Sequence, residues 1–203
     1  MKHLAKSLLV LLILTSAWRY GRESVRVWLA HATGASVAPA ASPVELPRGE
    51  HYSPAEDLER LDYQAIRGAR RSLDIAMYSF TDILLAAAVR EAGRRGVRVR
   101  MYRDGDEYER EQAQLRRHRS AMQTLVGEAN IRIRVKPPGR DYMHLKVACI
   151  DGRLLRTGSA NWSLSGEKRE DDDADYSTDP NAIERFERDF EVLWNRSDNI
   201  VVQ

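Results

Sequence analysis

The chain has a single cysteine, Cys149, in 203 residues, so no intramolecular disulfide can close and export would proceed without a disulfide framework. The thiol sits in an apolar stretch and reads as a small buried filler with no catalytic role. Net charge is also scarce: 32 basic residues nearly cancel 30 acidic ones, leaving +2. Arginine nevertheless greatly outnumbers lysine and is dense in Arg94-Arg95, Arg98, Arg100 and Arg116-Arg117-His118-Arg119, which favours anionic phosphate partners. Calcium and zinc signatures are missing. The acidic run Glu170-Asp171-Asp172-Asp173 lacks a following glycine and ligand-spaced partners, so neither a metal nor another cofactor is expected. What is present, a 43% hydrophobic fraction at this length, suits one domain with a full core plus an appendage.

The appendage is N-terminal. Lys2, His3 and Lys6 precede an apolar run from Leu8 to Leu14, then Thr15-Ser16-Ala17 and Arg19, the basic, hydrophobic, small-residue order of a secretory signal. The run falls short of the ~20 residues that comfortably span a bilayer, so cleavage after Ala17 is one expectation. An uncleaved anchor, with Trp18, Arg19 and Tyr20 at the interface, is the other. Residues 1–29 are therefore expected to be a signal peptide or membrane anchor. Either makes the protein exported, whether periplasmic, secreted or membrane-associated. Residues 30–50 have the alanine and proline content of a linker, and the folded domain is expected over 51–203.

Within that domain Ser53 and Pro54 are placed to start a helix with Leu58, Leu61, Ile66 and Ala69 on its apolar face. Ser72 to Phe80 reads as a buried strand. Thr81 to Arg95 reads as a helix with the stripe Ile83, Ala87, Val89 and Ala92, ended by Gly96, and Val97 to Tyr102 as the next strand. This is a β-α-β unit, for which a right-handed crossover and parallel pairing are expected. A long charged helix is expected over 107–127, an alternating strand over Ile131 to Val135, and a last helix from Asp179-Pro180 with Ile183, Phe186, Phe190 and Trp194 at helical spacing.

The most informative stretch is His144-Leu145-Lys146-Val147-Ala148-Cys149-Ile150-Asp151, followed by Gly158-Ser159-Ala160-Asn161. As a strand, 144–150 puts His144 and Lys146 on one side and Leu145 and Val147 on the other. A neutral imidazole can attack phosphorus in line, while an ammonium, an amide and a hydroxyl neutralise the equatorial oxygens. Asp151 reaches the strand end and reads as structural. Gly158 suits a sharp turn or close backbone approach.

These residues resemble the HKD motif of the phospholipase D superfamily. The order of His51-Tyr52-Ser53-Pro54, Ser72 to Thr81 and Gly96 to Arg100 is similar to its short single-motif branch, which contains bacterial endonucleases and the mitochondrial phospholipase D-like protein. The resemblance implies an α/β/α sandwich around a central mixed, largely parallel sheet, and metal-free phosphodiester hydrolysis through a phosphohistidine on His144. It implies that Lys146, Asn161 and Ser159 hold the phosphate oxygens, and that an acidic residue orients the histidine. Spacing selects Asp172 and alignment to the following strand Asp173, both shorter than the branch's glutamate. Because the motif occurs once, the resemblance also implies a homodimer with a composite active site. A nuclease acting on DNA or RNA is the leading expectation. A phospholipase acting on phosphatidylcholine or cardiolipin headgroups, in lipid degradation, is the alternative. A non-catalytic nucleic-acid-binding protein of the same fold is the third.

Overall fold

The computed structural model describes residues 45–114, 120–139 and 141–202. The expected signal or anchor, linker residues 30–44 and Arg116-Arg117-His118-Arg119 lie outside these residues. Among the described residues no helix is long and apolar enough to cross a membrane.

The elements run β1 (Gly49–Tyr52), α1 (Leu58–Gly68), β2 (Ser72–Met77), α2 (Ile83–Arg94), β3 (Arg98–Arg103), α3 (Gly105–Gln114), β4 (Ile131–Val135), β5 (Lys146–Ile150), β6 (Leu154–Gly158), α4 (Leu164–Lys168), β7 (Asp173–Ser177), α5 (Pro180–Trp194) and β8 (Ile200–Val202). The strands form one sheet in the order β1-β7-β6-β5-β2-β3-β4-β8. Alternation along each strand divides its residues between two layers. Leu73, Ile75, Met77, Val99, Met101, Ala148 and Ile150 face the helices that carry Leu58, Ala65, Ile66, Leu85 and Val89. Ala76, Tyr102, Cys149 and Leu155 face α5 through Ile183, Phe190 and Trp194. Burying each large apolar side chain contributes about 1.5–3 kcal/mol, so this two-sided packing is the main force holding the sandwich.

The mixed sheet agrees with expectation, but its parallel content is smaller. Only β2–β3 and β3–β4 are parallel; the other five pairings are antiparallel. Parallel pairing needs a crossover such as α2, whereas β5 and β6 join through a turn in which Asp151 and Gly152 take φ of 58° and 62°.

Four local expectations are corrected. First, the helix after β1 starts at Leu58, capped by Asp57, which accepts from the Arg60 amide. Ser53 is buried instead, and its hydroxyl donates to the Glu170 carbonyl at 2.7 Å, fastening the acidic run. Second, Ile83 is exposed at the first turn of α2, whose buried face carries Leu85, Ala86, Ala88, Val89 and Ala92. Third, the charged helix is described only to Gln114. Ser120 and Gln123 exchange reciprocal side-chain to amide bonds and start a separate 3₁₀ turn at Met122–Thr124. Fourth, the folded unit reaches back past His51: β1 opens at Gly49, and Leu46 packs against the core.

Candidate active site

The chemistry-bearing residues gather at one end of the sheet, where β2 and β3 finish, β5 begins and β6 finishes. His144 is exposed and precedes β5, while Lys146 opens the strand and is 7% exposed. The Lys146 ammonium lies 3.1 Å from Nδ1 and 3.2 Å from Nε2 of His144 and donates to its carbonyl at 3.0 Å. Burial first, and then the Lys146 charge, lower the His144 pKa below the ordinary imidazole value, against the opposing fields of Asp104 and Glu107. The imidazole is therefore held neutral, the form in which a ring nitrogen is a nucleophile. Burial likewise lowers the Lys146 pKa, with Asp172 opposing it and Arg156 reinforcing it.

Two neighbouring residues at the end of β2 bring the halves of the motif together. The Tyr78 amide donates to the Leu145 carbonyl at 2.8 Å, and the Tyr78 ring packs against His144 with centroids 4.5 Å apart. The Ser79 amide donates to Asn161 Oδ1 at 3.2 Å. That bond orients the amide of Asn161, whose Nδ2 makes no hydrogen bond within the described residues and is left as a donor. Ser159 is exposed, and its hydroxyl accepts from the Asp173 amide at 3.0 Å, keeping its own proton to donate.

Asp172 and Asp173 take other positions than those expected for a histidine-orienting carboxylate. Asp173 Oδ1 accepts from the Ser159 amide at 3.0 Å, because the β6–β7 register sets Gly158 opposite Ala174. Asp172 acts on the field at Lys146. Among the described residues neither bonds to the imidazole. Gly158, at φ 140°, serves a close approach to β7: a Cβ there would stand 2.2 Å from the Asp173 carbonyl oxygen. Asp151 is structural, its carboxylate accepting from the amides of Arg70, Arg71 and Ser72 at the start of β2. Cys149 is buried and its thiol pKa is pushed up to about 12 by desolvation, so it is inert at neutral pH.

Sequence reasoning missed the supports beneath these residues. Asp104, 1% exposed, accepts from the Met143 amide at 2.8 Å and so fixes the peptide before His144. Arg103, fully buried, donates to the carbonyls of Met77 and Tyr78 and to Glu111, which in turn accepts from the Ser79 hydroxyl and the Phe80 amide. On the other side Arg156, also fully buried, donates to the carbonyls of Lys146 and Ala160 and pairs with Asp62 and Glu167. Asp62 further accepts from Trp162 Nε1 and the Tyr176 hydroxyl. Each arginine thus ties two backbone carbonyls beside the site to a buried carboxylate. The readable signal was a charge inside an apolar pattern: Arg156 among Leu154 and Leu155, Asp62 between Leu61 and Ala65.

Among the described residues no group of three or more histidine, cysteine and carboxylate side chains is arranged to hold a metal ion. The cation beside His144 is Lys146.

Residues 63–194 match the family described as cardiolipin synthase, PLD-like domain. The chain is 33% identical to human mitochondrial cardiolipin hydrolase over 83% of its own length and 62% of that protein's. Among solved structures, it superposes on NucT from Helicobacter pylori with a TM-score of 0.64, at 23% identity, covering 77% of this chain and 99% of that one. It superposes on Nuc from Salmonella typhimurium, described as a phospholipase D family member, with a TM-score of 0.63. There the identity is 25%, and 76% of this chain and 96% of the other are covered.

Proposed function

Because the chain belongs to the PLD-like domain family, of the phospholipase D superfamily, we propose that it is a metal-independent phosphodiesterase whose nucleophile is His144. A neutral ring nitrogen attacks phosphorus, an N–P bond forms and the opposite P–O bond breaks. Lys146, the Asn161 Nδ2 group and the Ser159 hydroxyl take up the charge on the equatorial oxygens. The leaving oxygen needs a proton and the phosphohistidine needs an activated water. One His144 cannot be nucleophile and acid at once, so we assign the second role to His144 of a second copy, in a homodimer with a composite site. The observation that carries this reading is the joining of His144, Lys146 and Asn161 around Tyr78 and Ser79, with the imidazole held neutral.

The substrate we propose is nucleic acid. The resemblance to single-motif endonucleases supports this, as do Arg110 and the exposed Tyr142 beside Tyr78. A phospholipid headgroup is the second reading, favoured by the exposed Ile83, Leu84, Leu145 and Leu164 at this end of the sheet and by the likeness to cardiolipin hydrolase. We further propose that residues 1–29 export or anchor the domain; N-terminal sequencing of the mature protein tests this.

The test of function is turnover in EDTA on plasmid DNA, single-stranded RNA and cardiolipin vesicles, with His144→Ala as control. Nucleic-acid cleavage lost in the variant supports the first reading, and headgroup release alone supports the second. Nucleic-acid binding unchanged by the substitution, with no turnover by the parent, would replace both with a binding role.

A further inference from the structure

Arg110 lies on α3, the charged helix, and its guanidinium is held on Tyr78, the residue whose ring packs against His144. Its Nη2 donates to the Tyr78 hydroxyl at 2.9 Å and pairs with Glu107 Oε2 at 2.9 Å, and its Nε donates to the Asp106 carbonyl at 3.2 Å. The side chain is nevertheless 55% exposed. An exposed arginine gains little stability from such bonds and loses rotamer freedom in making them, so the restraint points to a binding purpose. Nη1 makes no hydrogen bond within the described residues. Tyr78 thus joins the two groups, its ring packing on His144 with centroids 4.5 Å apart and its hydroxyl accepting from Arg110.

Tyr142 adds an aromatic face at the same place. It packs edge-on against Tyr78, with centroids 6.5 Å apart, and is 60% exposed. A fixed guanidinium next to an exposed aromatic ring is the combination by which a nucleotide is held through its phosphate and its base together.

We propose that Arg110 and Tyr142 form a subsite for the nucleotide adjoining the scissile phosphate, Arg110 binding the neighbouring phosphate and Tyr142 stacking on the base. This rests on the nucleic-acid reading of the site. It makes the enzyme prefer a polymer over an isolated phosphodiester, because the second phosphate and its base add binding that a small diester cannot use.

The test compares full-length parent, Arg110→Gln and Tyr142→Ala on a single-stranded decanucleotide and on bis(p-nitrophenyl) phosphate, a diester with one phosphate and no nucleobase. Each substitution is expected to raise KM for the oligonucleotide about tenfold with kcat changed far less, and to lower kcat/KM for the small diester by a much smaller factor. Equal losses on both substrates would mean that the residues act through the geometry of Tyr78 and His144, and would overturn the subsite. No loss on the oligonucleotide would also overturn it. If the parent cleaves neither substrate, the reading of the site as a nuclease fails. The subsite is then decided by fluorescence anisotropy of the labelled decanucleotide, where weaker binding by both variants supports it and unchanged binding removes it.

Discussion

The ammonium of Lys146 sits almost equidistant from the two ring nitrogens of His144, 3.1 Å from Nδ1 and 3.2 Å from Nε2. A fixed positive charge at that distance disfavours imidazolium, so in the proposed mechanism it works on the nucleophile as well as on the phosphate. The acid limb of kcat/KM is expected below the pH of an ordinary imidazole, since His144 must lose its proton to react. Lys146→Met removes the charge, so the limb should move to higher pH while the rate falls about 10²–10³-fold. A pH–rate profile from pH 4 to 9 checks both. A limb that stays in place in the variant would dissociate the two residues.

The same lysine adds an alkaline loss beyond the fall that comes when the proposed second copy's His144 gives up the proton it must donate. Burial lowers its pKa, so the proton that binds phosphate oxygen is lost at lower pH than from a free lysine. Activity on the alkaline side is therefore expected to decline below the ordinary lysine range. Arg substitution at position 146 should abolish that added loss while costing turnover through its different shape.

Glu167 is expected to be protonated at neutral pH. Desolvation and the Asp62 charge raise its pKa to about 10, because one guanidinium, that of Arg156, faces two buried carboxylates. A folded-state pKa above the unfolded value means that the folded state binds more protons between the two, so this group's contribution is full at acid pH and fades as pH rises towards 10. Glu167→Gln should remove the loss of stability that the parent shows as pH rises from about 4.5 to about 10, so the variant gains on the parent across that range. Asp62→Asn removes a charge that keeps Glu167 protonated, so Glu167 should ionise against Arg156, and a loss of about 1–3 kcal/mol is expected from the weaker acceptor left to Trp162 Nε1 and the Tyr176 hydroxyl. Urea denaturation at several pH values separates the two.

Much of this molecule was legible from its pattern. The strands and helices around Ser72, Arg98, Ile131 and Pro180 follow from alternation and helical spacing, since their apolar side chains pack in the two core layers. The segment with His144, Lys146 and Asn161 was legible because each type is needed by one reaction. What escaped were pairings between distant residues. Arg103 with Glu111 and Arg156 with Asp62 look like surface charges until the fold removes water from them. Ser53 looks like a cap until β1 pairs with β7, when its hydroxyl instead meets the acidic run. Asp173 was misplaced as a partner of His144 for a related reason: strand register, which a single sequence does not encode locally, turns it to Ser159.

Glu111→Ala should be among the most destabilising single changes, by about 3–5 kcal/mol, because Arg103 would be left buried without a counter-ion. Turnover by the folded remainder should also fall, since the Ser79 and Phe80 groups that Glu111 receives lie next to the bond that orients Asn161. A denaturation midpoint measured beside kcat distinguishes this from simple loss of folded protein.

Asp151→Ala tests the opposite assignment within the motif. Three amides at the start of β2 lose their acceptor, and a loss of about 2 kcal/mol is expected with kcat/KM within a few-fold of the parent. A collapse in kcat at unchanged stability would move Asp151 into the chemistry.

Turnover is expected to survive chelation, because a divalent ion at His144 would meet the Lys146 ammonium at hydrogen-bond range. Loss of activity in EDTA with recovery on added metal would contradict this. The proposed composite site makes a second demand, that activity per chain fall on dilution below the dissociation constant of the proposed dimer, which sedimentation and initial rates can follow together.

The two buried arginines also bear on how such a protein can change. Arg103 and Arg156 hold carbonyls on both flanks of the site, so their neighbouring amides should exchange with deuterium only when the whole domain opens. The catalytic floor is thereby closed to gradual revision, since any step that loosens it also threatens folding. The surrounding rim of Ile83, Leu84, Tyr142, Leu145 and Leu164 carries no such debt. Lineages that acquire new substrates on this scaffold should differ first along that rim while leaving the floor untouched.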